Sequence, residues 1–298
     1  MERKKENMKG EMILKKSVYG LLLTMVMLIW MNQKLILRTV ILGILLLALP
    51  VWAQEKVDET AELAKKLANP IANLISVPIQ YNLDLGIGPA DATRSTVSIQ
   101  PVIPFSLNQK WNLITRTIFP LIYAEAPAAG LDRTSGLGDI MQSFFLSPSD
   151  PVGGWIIGAG PVLLYPSATE KTLGSEKWGA GPTAVILKQQ GSWTYGMLAN
   201  HIWSYAGDSG RNDINATFLQ PFLAYQTKTY TTFGVNTEST YDWKSEQWTI
   251  PVNLSVAQMV KIGGMPIQFM LGGRYYADKP DGGPDWGLRF QVTFLFPK

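Results

Sequence analysis

The sequence predicts an all-β protein, a transmembrane antiparallel β-barrel of about 12 strands, preceded by a signal peptide and a short periplasmic helix. Three observations predict it. The stretch Asp285–Phe296 reads DWGLRFQVTFLF, with Trp286, Leu288, Phe290, Val292, Phe294 and Phe296 on one parity and Asp285, Gly287, Arg289, Gln291 and Thr293 on the other. A strand alternates its side chains, so one face is apolar and aromatic and the other polar, over the ~9–11 residues of a tilted membrane-crossing strand. The same pattern recurs along the chain, with connections that alternate between short turns and long polar loops. A leader directs the chain out of the cytoplasm.

The leader comes first. Met31–Ala53 has a positive start (Lys34, Arg38), an apolar run (Val40–Leu49) and a small-residue cleavage site, Val51-Trp52-Ala53, before Gln54. That is the architecture of a secretory signal peptide, and Met31 is the expected initiator. Residues 1–53 hold eight of the 26 Lys and Arg but only three of the 23 Asp and Glu. The remainder is therefore slightly acidic, and the basic isoelectric point gives no support for nucleic-acid binding. Cysteine is absent, which excludes disulfides and thiolate metal sites. Residues 54–75 form a periplasmic N-terminal segment or a plug, with one helix expected over Lys56–Asn69 and ended by Asn69-Pro70.

The barrel is expected over 76–298. Ser76–Leu85 sets Val77, Ile79, Tyr81, Leu83 and Leu85 against Gln80, Asn82 and Asp84. Thr93–Pro104 sets Val97, Ile99 and Ile103 against Arg94, Thr96, Ser98 and Gln100. Trp111–Phe119 carries Arg116, and a long loop, Pro120–Ser135, precedes Leu137–Leu146. Trp155–Tyr165 and Trp178–Lys188 follow, interrupted by Gly158, Gly160, Gly179 and Gly181, which mark bulges or bends. Trp193–Trp203, Ile214–Gln226, Tyr230–Glu238, Trp248–Ala257, Ile267–Tyr276 and the C-terminal strand complete the set, with Ser239–Gln247 read as a loop. Tryptophans cluster near strand ends, where an interfacial girdle lies in membrane barrels. A secreted soluble sandwich or barrel is the competing fold, and its small core would struggle to hide this many aromatic-edged strands.

If the apolar parities face lipid, the lumen receives the others. The candidate lumen-lining residues are Gln80, Asn82 and Asp84, then Arg94, Gln100, Arg116 and Asp139, and from the C-terminal half Asn236, Glu238, Gln268, Arg274, Arg289 and Gln291. Asn253 of Trp248–Ala257 belongs with them, and Asn200 and Gln220 join from less regular strands. A charge on the lipid face at mid-bilayer costs about 2–4 kcal/mol, which favours inward arginines. These residues either fill a narrow barrel or line a water-filled path. Both signs occur among them, so no strong ion preference is predicted.

Several stretches resemble a bacterial family of outer-membrane barrels, the MetA-pathway phenol-degradation family, whose members carry the general label of transporters. They are Leu67–Pro78 (LANPIANLISVP), Gly136-Leu137-Gly138-Asp139, Gln142-Ser143-Phe144-Phe145, Gly158-Ala159-Gly160-Pro161 and Gly179-Ala180-Gly181-Pro182. The resemblance covers roughly residues 65–298. It implies a channel for small aromatic or other organic molecules and supplies no site residues. The alternating C-terminal strand ending in Phe296 also resembles the assembly signal of outer-membrane barrels, with Pro297 and Lys298 as a departure from it.

No catalytic, cofactor or metal site is expected. The one histidine, His201, is followed at i+2 by Trp203, whereas an outer-membrane lipase needs a serine there on the same face; Ser204 points the other way in a regular strand. The expected function is passive passage of small solutes across the outer membrane of a Gram-negative cell, with both termini periplasmic. A plugged barrel with a structural or interaction role is the alternative. The expected partners are outer-membrane lipid, the barrel-assembly machinery through the C-terminal strand, and the solute itself.

Overall fold

The strands close on themselves. In the computed structural model, which describes residues 57–296, fifteen ladder segments form one antiparallel sheet. Three of the strands are interrupted, so the segments make twelve strands. These are β1 (Ile75–Ile87), β2 (Ala92–Ile99 continued by Val102–Ser106), β3 (Trp111–Ala124), β4 (Thr134–Leu137 continued by Ile140–Pro148), β5 (Ile156–Tyr165) and β6 (Lys177–Gln190). The second half comprises β7 (Trp193–Gly207), β8 (Asn215–Gln226), β9 (Thr231–Thr237 continued by Ser239–Asp242), β10 (Gln247–Ile262), β11 (Met265–Asp278) and β12 (Trp286–Phe296). Each strand pairs with the next, and β12 returns to β1 in unbroken register from Ile75↔Phe296 to Leu85↔Trp286. Closure removes both sheet edges. The expectations for residues 1–53, for Lys56 and for Pro297 and Lys298 lie outside the described residues.

Strands run further toward the long-loop end than the alternation predicts. β3 continues through Pro120 to Ala124, since a proline whose carbonyl still accepts the Gly138 N–H at 2.8 Å need not end a strand. Likewise Ser239–Asp242 is strand and only 243–246 is turn. At the other end, β10 and β11 are joined by Gly263-Gly264 with φ of 59° and 83°, the conformation of a two-residue hairpin turn that only glycine adopts freely.

The outer surface carries two aromatic bands. Near the short turns, Trp193 stacks on Tyr225 at 4.8 Å and Trp155 on Tyr195 at 6.0 Å. Near the long loops, Trp178 meets Tyr165, and Tyr241 meets Trp243 and Trp248. Trp193 and Trp203 stand ten residues apart on β7. At the rise of a strand tilted as in membrane barrels, that is about 25 Å, the height of an apolar membrane band. Between the bands lie exposed Ile186, Met197, Leu254 and Leu288.

Helix α1 (Val57–Leu67) docks into the short-turn end. Leu63 and Ala64, with Leu67 one turn on from Leu63, pack with Ala72 and Leu74 against inward-facing Met259 and Leu295. The side chains of Gln189 and Gln226 donate to the carbonyls of Lys65 (2.7 Å) and Ala61 (3.0 Å). After the helix, Asn69 accepts the N–H of Ile71 at 2.9 Å and turns the chain inward. Ile71 then inserts among Ile114, Phe145, Val185, Leu187 and Leu198. Gly158 provides the clearance: a Cβ there would stand 2.9 Å from the Ile71 Cδ1.

Candidate functional site: a charged belt inside the barrel

The interior has two unlike walls. On β4 to β7 the inward side chains include Phe145, Val162, Val185, Leu187, Leu198 and Ile202, all buried. These strands carry apolar residues on both faces, with polar ones such as Thr183 and Asn200 among them, and so escape a reading based on alternation. The opposite wall, from β9 through β12 and β1 to β3, carries the charges.

Arg289 on β12 organises that wall. Its guanidinium donates to both carboxylate oxygens of Glu238 at 2.8 and 2.7 Å, and its Nε donates to Asn82 at 2.8 Å. β9 and β12 are not neighbours, so the Arg289–Glu238 pair reaches over β10 and β11 across the lumen. Glu238 sits where the β9 ladder is interrupted opposite Pro251, whose carbonyl accepts the Glu238 N–H at 3.2 Å. Arg274 on β11 lies 3.4 Å from Asp84 and 3.7 Å from Glu238. Gly287 stands between Asp84 and Arg274 in the register and leaves room for the two to meet. Tyr276 donates its hydroxyl to Asp84 at 2.8 Å and lies against Arg274, 5.4 Å from ring centre to guanidinium. Asn253 donates to Asn236 at 2.8 Å.

Arg116 on β3 is placed differently. It donates to Gln100 at 2.7 Å, and Gln100 sits at the interruption of β2, where Pro101 has no N–H to offer. Among the described residues no carboxylate is within ion-pair distance of Arg116. Between this wall and the docked N-terminal segment lies a cavity of about 260 Å³. Gln80, Gln100, Arg116, Gln220, Phe222, Asn236, Glu238, Gln268, Arg289 and Gln291 line it from the barrel, and Leu67, Pro70 and Leu74 from the segment. A second cavity of about 110 Å³ lies beyond Ile71, toward the short turns.

The remaining sequence candidates fall elsewhere. Arg94 is level with Asp84 across β1 and β2 but is exposed toward the long loops. Asn200 is buried on the inner face of β7. Asp139 was expected in the lumen. The register of β4 slips by one residue between Leu137 and Met141, and Asp139 lies in that bulge. Its carboxylate accepts from Ser175 N (2.7 Å), Ser175 Oγ (2.6 Å) and Ala168 N (3.3 Å), so it anchors the 166–176 loop rather than joining the belt. Tyr276 was missed, although it shares its parity with Gln268 and Arg274.

His201 faces outward. Its Nδ1 is 2.7 Å from the Thr217 hydroxyl on β8, directly opposite in the register, and that hydroxyl also accepts the Trp243 indole N–H at 2.8 Å. Sequence spacing within β7 could not reveal this cross-strand pair. The His201 Nε2 is buried and has no partner among the described residues, so no acid there orients the ring as a catalytic base requires. Ser204 is engaged by Asp213 and by the Ile214 N–H instead.

The fold is that of outer-membrane β-barrels. The chain superimposes on an outer membrane channel from Pseudomonas putida F1 with a TM-score of 0.60 and 16% identity, covering 75% of this chain and 96% of that one. It also matches outer membrane phospholipase A from Escherichia coli, at a TM-score of 0.44 and 10% identity over 80% and 98% of the two chains. No family model matches the sequence, and no curated protein does.

Proposed function

We propose that this protein is an outer-membrane channel for passive passage of small solutes, aromatic and other organic molecules included. One observation carries the reading above others: at the level of its charged belt the lumen keeps a cavity of about 260 Å³ lined by both polar and apolar side chains, where a purely structural barrel would pack the space shut. The likeness in fold to the Pseudomonas putida channel supports it. Membership of the MetA-pathway phenol-degradation family is the finer form of the same proposal. The two aromatic bands support a place in the Gram-negative outer membrane, with the short turns and both termini periplasmic, lipid around the wall, and β12 as the strand the assembly machinery recognises.

The docking of α1 and Ile71 favours a second reading, a barrel sealed from the short-turn side. Liposome swelling separates the two. Refolded protein is expected to admit arabinose, and a folded barrel that admits no sugar and no small aromatic would leave the sealed reading standing. The protein is read as non-enzymatic in either case.

A further inference from the structure

We propose that the central cavity is a subsite for small monocarboxylates, with the carboxylate on Arg116 and an apolar body against Phe222 and Leu74. The inference rests on the channel reading and specifies its solute.

The argument begins with the charges. Inside the belt stand three guanidinium groups, Arg116, Arg274 and Arg289, and two carboxylates, Asp84 and Glu238. Glu238 is taken by Arg289 in a two-pronged pair and lies 3.7 Å from Arg274; Asp84 lies 3.4 Å from Arg274. Both acids are therefore committed, and Arg116 is the surplus cation. A guanidinium carries five N–H donors in a planar fork, and among the described residues Arg116 makes a single side-chain hydrogen bond, to the neutral Gln100. None of its nitrogens is among the buried side-chain atoms that lack a partner, whereas Arg274 Nε is. The other Arg116 donors thus open onto the cavity that the residue lines. A planar fork with free donors fits the two oxygens of a carboxylate.

The rest of the cavity selects the body of the solute. Phe222 faces it from β8, and Leu67, Pro70 and Leu74 face it from the docked segment. Polar amides, Gln80, Gln100 and Gln220 among them, complete the lining. At the ~30 Å³ a water occupies in the liquid, this volume holds about nine waters, the size of a benzoate or a short-chain acid. Lys66 of the docked helix also borders the cavity but is exposed, and a second carboxylate would find no second unpaired guanidinium in the belt, so monoanions are expected to outcompete dianions of similar size.

The test uses planar bilayers holding the full mature chain, with a tenfold gradient of potassium benzoate across the membrane. The wild type is expected to pass benzoate in preference to potassium, by the sign of the reversal potential. Arg116→Gln should lower that permeability ratio at least about fivefold, and Arg116→Lys should restore most of it. Heat-modified gel mobility establishes that each variant is folded; if Arg116→Gln does not fold, the wild type and Arg116→Lys are compared for benzoate against phthalate, and equal passage of the two anions overturns the proposal. A wild-type preference for potassium, or a ratio unmoved in folded Arg116→Gln, also overturns it while leaving the channel intact. Failure of the wild type to admit arabinose in liposome swelling removes the channel reading, and this subsite with it.

Discussion

Arg289 and Glu238 meet through two hydrogen bonds, at 2.8 and 2.7 Å, across strands that are not neighbours. The pair bridges the lumen like a strut, and it also neutralises a charge that would otherwise set the field inside the barrel. Glu238→Gln leaves Arg289 and Arg274 with Asp84 as their only acid, and breaking a buried pair costs about 3–5 kcal/mol. The expected outcome is a barrel that still folds, with a urea midpoint in detergent well below the wild type. Replacing both residues, Glu238→Gln with Arg289→Gln, should cost less than the sum of the single changes, and a double-mutant cycle on those midpoints measures the coupling. Additive losses would show that the two side chains act independently.

Ile71 is the wedge that holds the N-terminal segment in the barrel. It lies between the two cavities and is buried among five apolar side chains of the wall. Ile71→Ala should weaken docking by about 2 kcal/mol or more, the usual loss for truncating a packed isoleucine. Trypsin cleavage after Lys65 and Lys66 should then quicken, and arabinose swelling should rise. Gly158→Ala pushes a Cβ toward the flexible end of Ile71, so its effect on both readouts should share that direction and be smaller.

How much of this was legible depends on whether a strand has two different faces. β1, β11 and β12 separate apolar from polar residues over most of their length, and the places of Asn82, Asp84, Arg274 and Arg289 follow from parity alone. Phe145 lies in the run Phe144-Phe145-Leu146, where both faces are apolar, because one meets lipid and the other meets Ile71 and the inner wall. Alternation carries no signal there. Leu295 breaks the polar parity of β12 for a related reason: its inward position packs on the docked segment. Asp139 is displaced by a bulge, and a single extra residue turns every parity argument beyond it. The interruptions at Gln100 and Glu238 follow from prolines on the same or the facing strand, a signal present in the sequence at Pro101 and Pro251.

At the long-loop rim, Lys177 is buried and its amine lies 3.0 Å from Asp213, whose carboxyl is held below the usual range first by that hydrogen bond and then by the Ser204 hydroxyl. A carboxylate with a lowered folded value contributes stability above its unfolded value, near 3.9, and loses it as pH falls through the lower folded value. The 208–214 loop is therefore expected to stay closed at pH 4 and to open below it. Hydrogen exchange of the Ile214 amide between pH 5 and 2 reads this directly, after correction for intrinsic rates. In Asp213→Asn the step in protection should disappear, and a wild-type step above pH 4 would contradict the assignment.

His201 and Thr217 form a base–hydroxyl pair on the outer wall, the arrangement from which hydrolytic chemistry at a membrane surface could be built. Two features argue against it. The hydroxyl already accepts the Trp243 indole N–H, which stabilises an oxygen in place, and the Nε2 face of the ring is buried without an acid to orient it or hold a positive charge. Purified protein in mixed micelles, with and without calcium, is therefore expected to release no fatty acid from phosphatidylcholine above a lipid-only control. His201→Ala and Thr217→Val should leave that baseline where it is and lower the thermal midpoint modestly, by about the value of one hydrogen bond, ~1 kcal/mol. Release that depends on His201 would make the outer wall an active site and overturn the non-enzymatic reading.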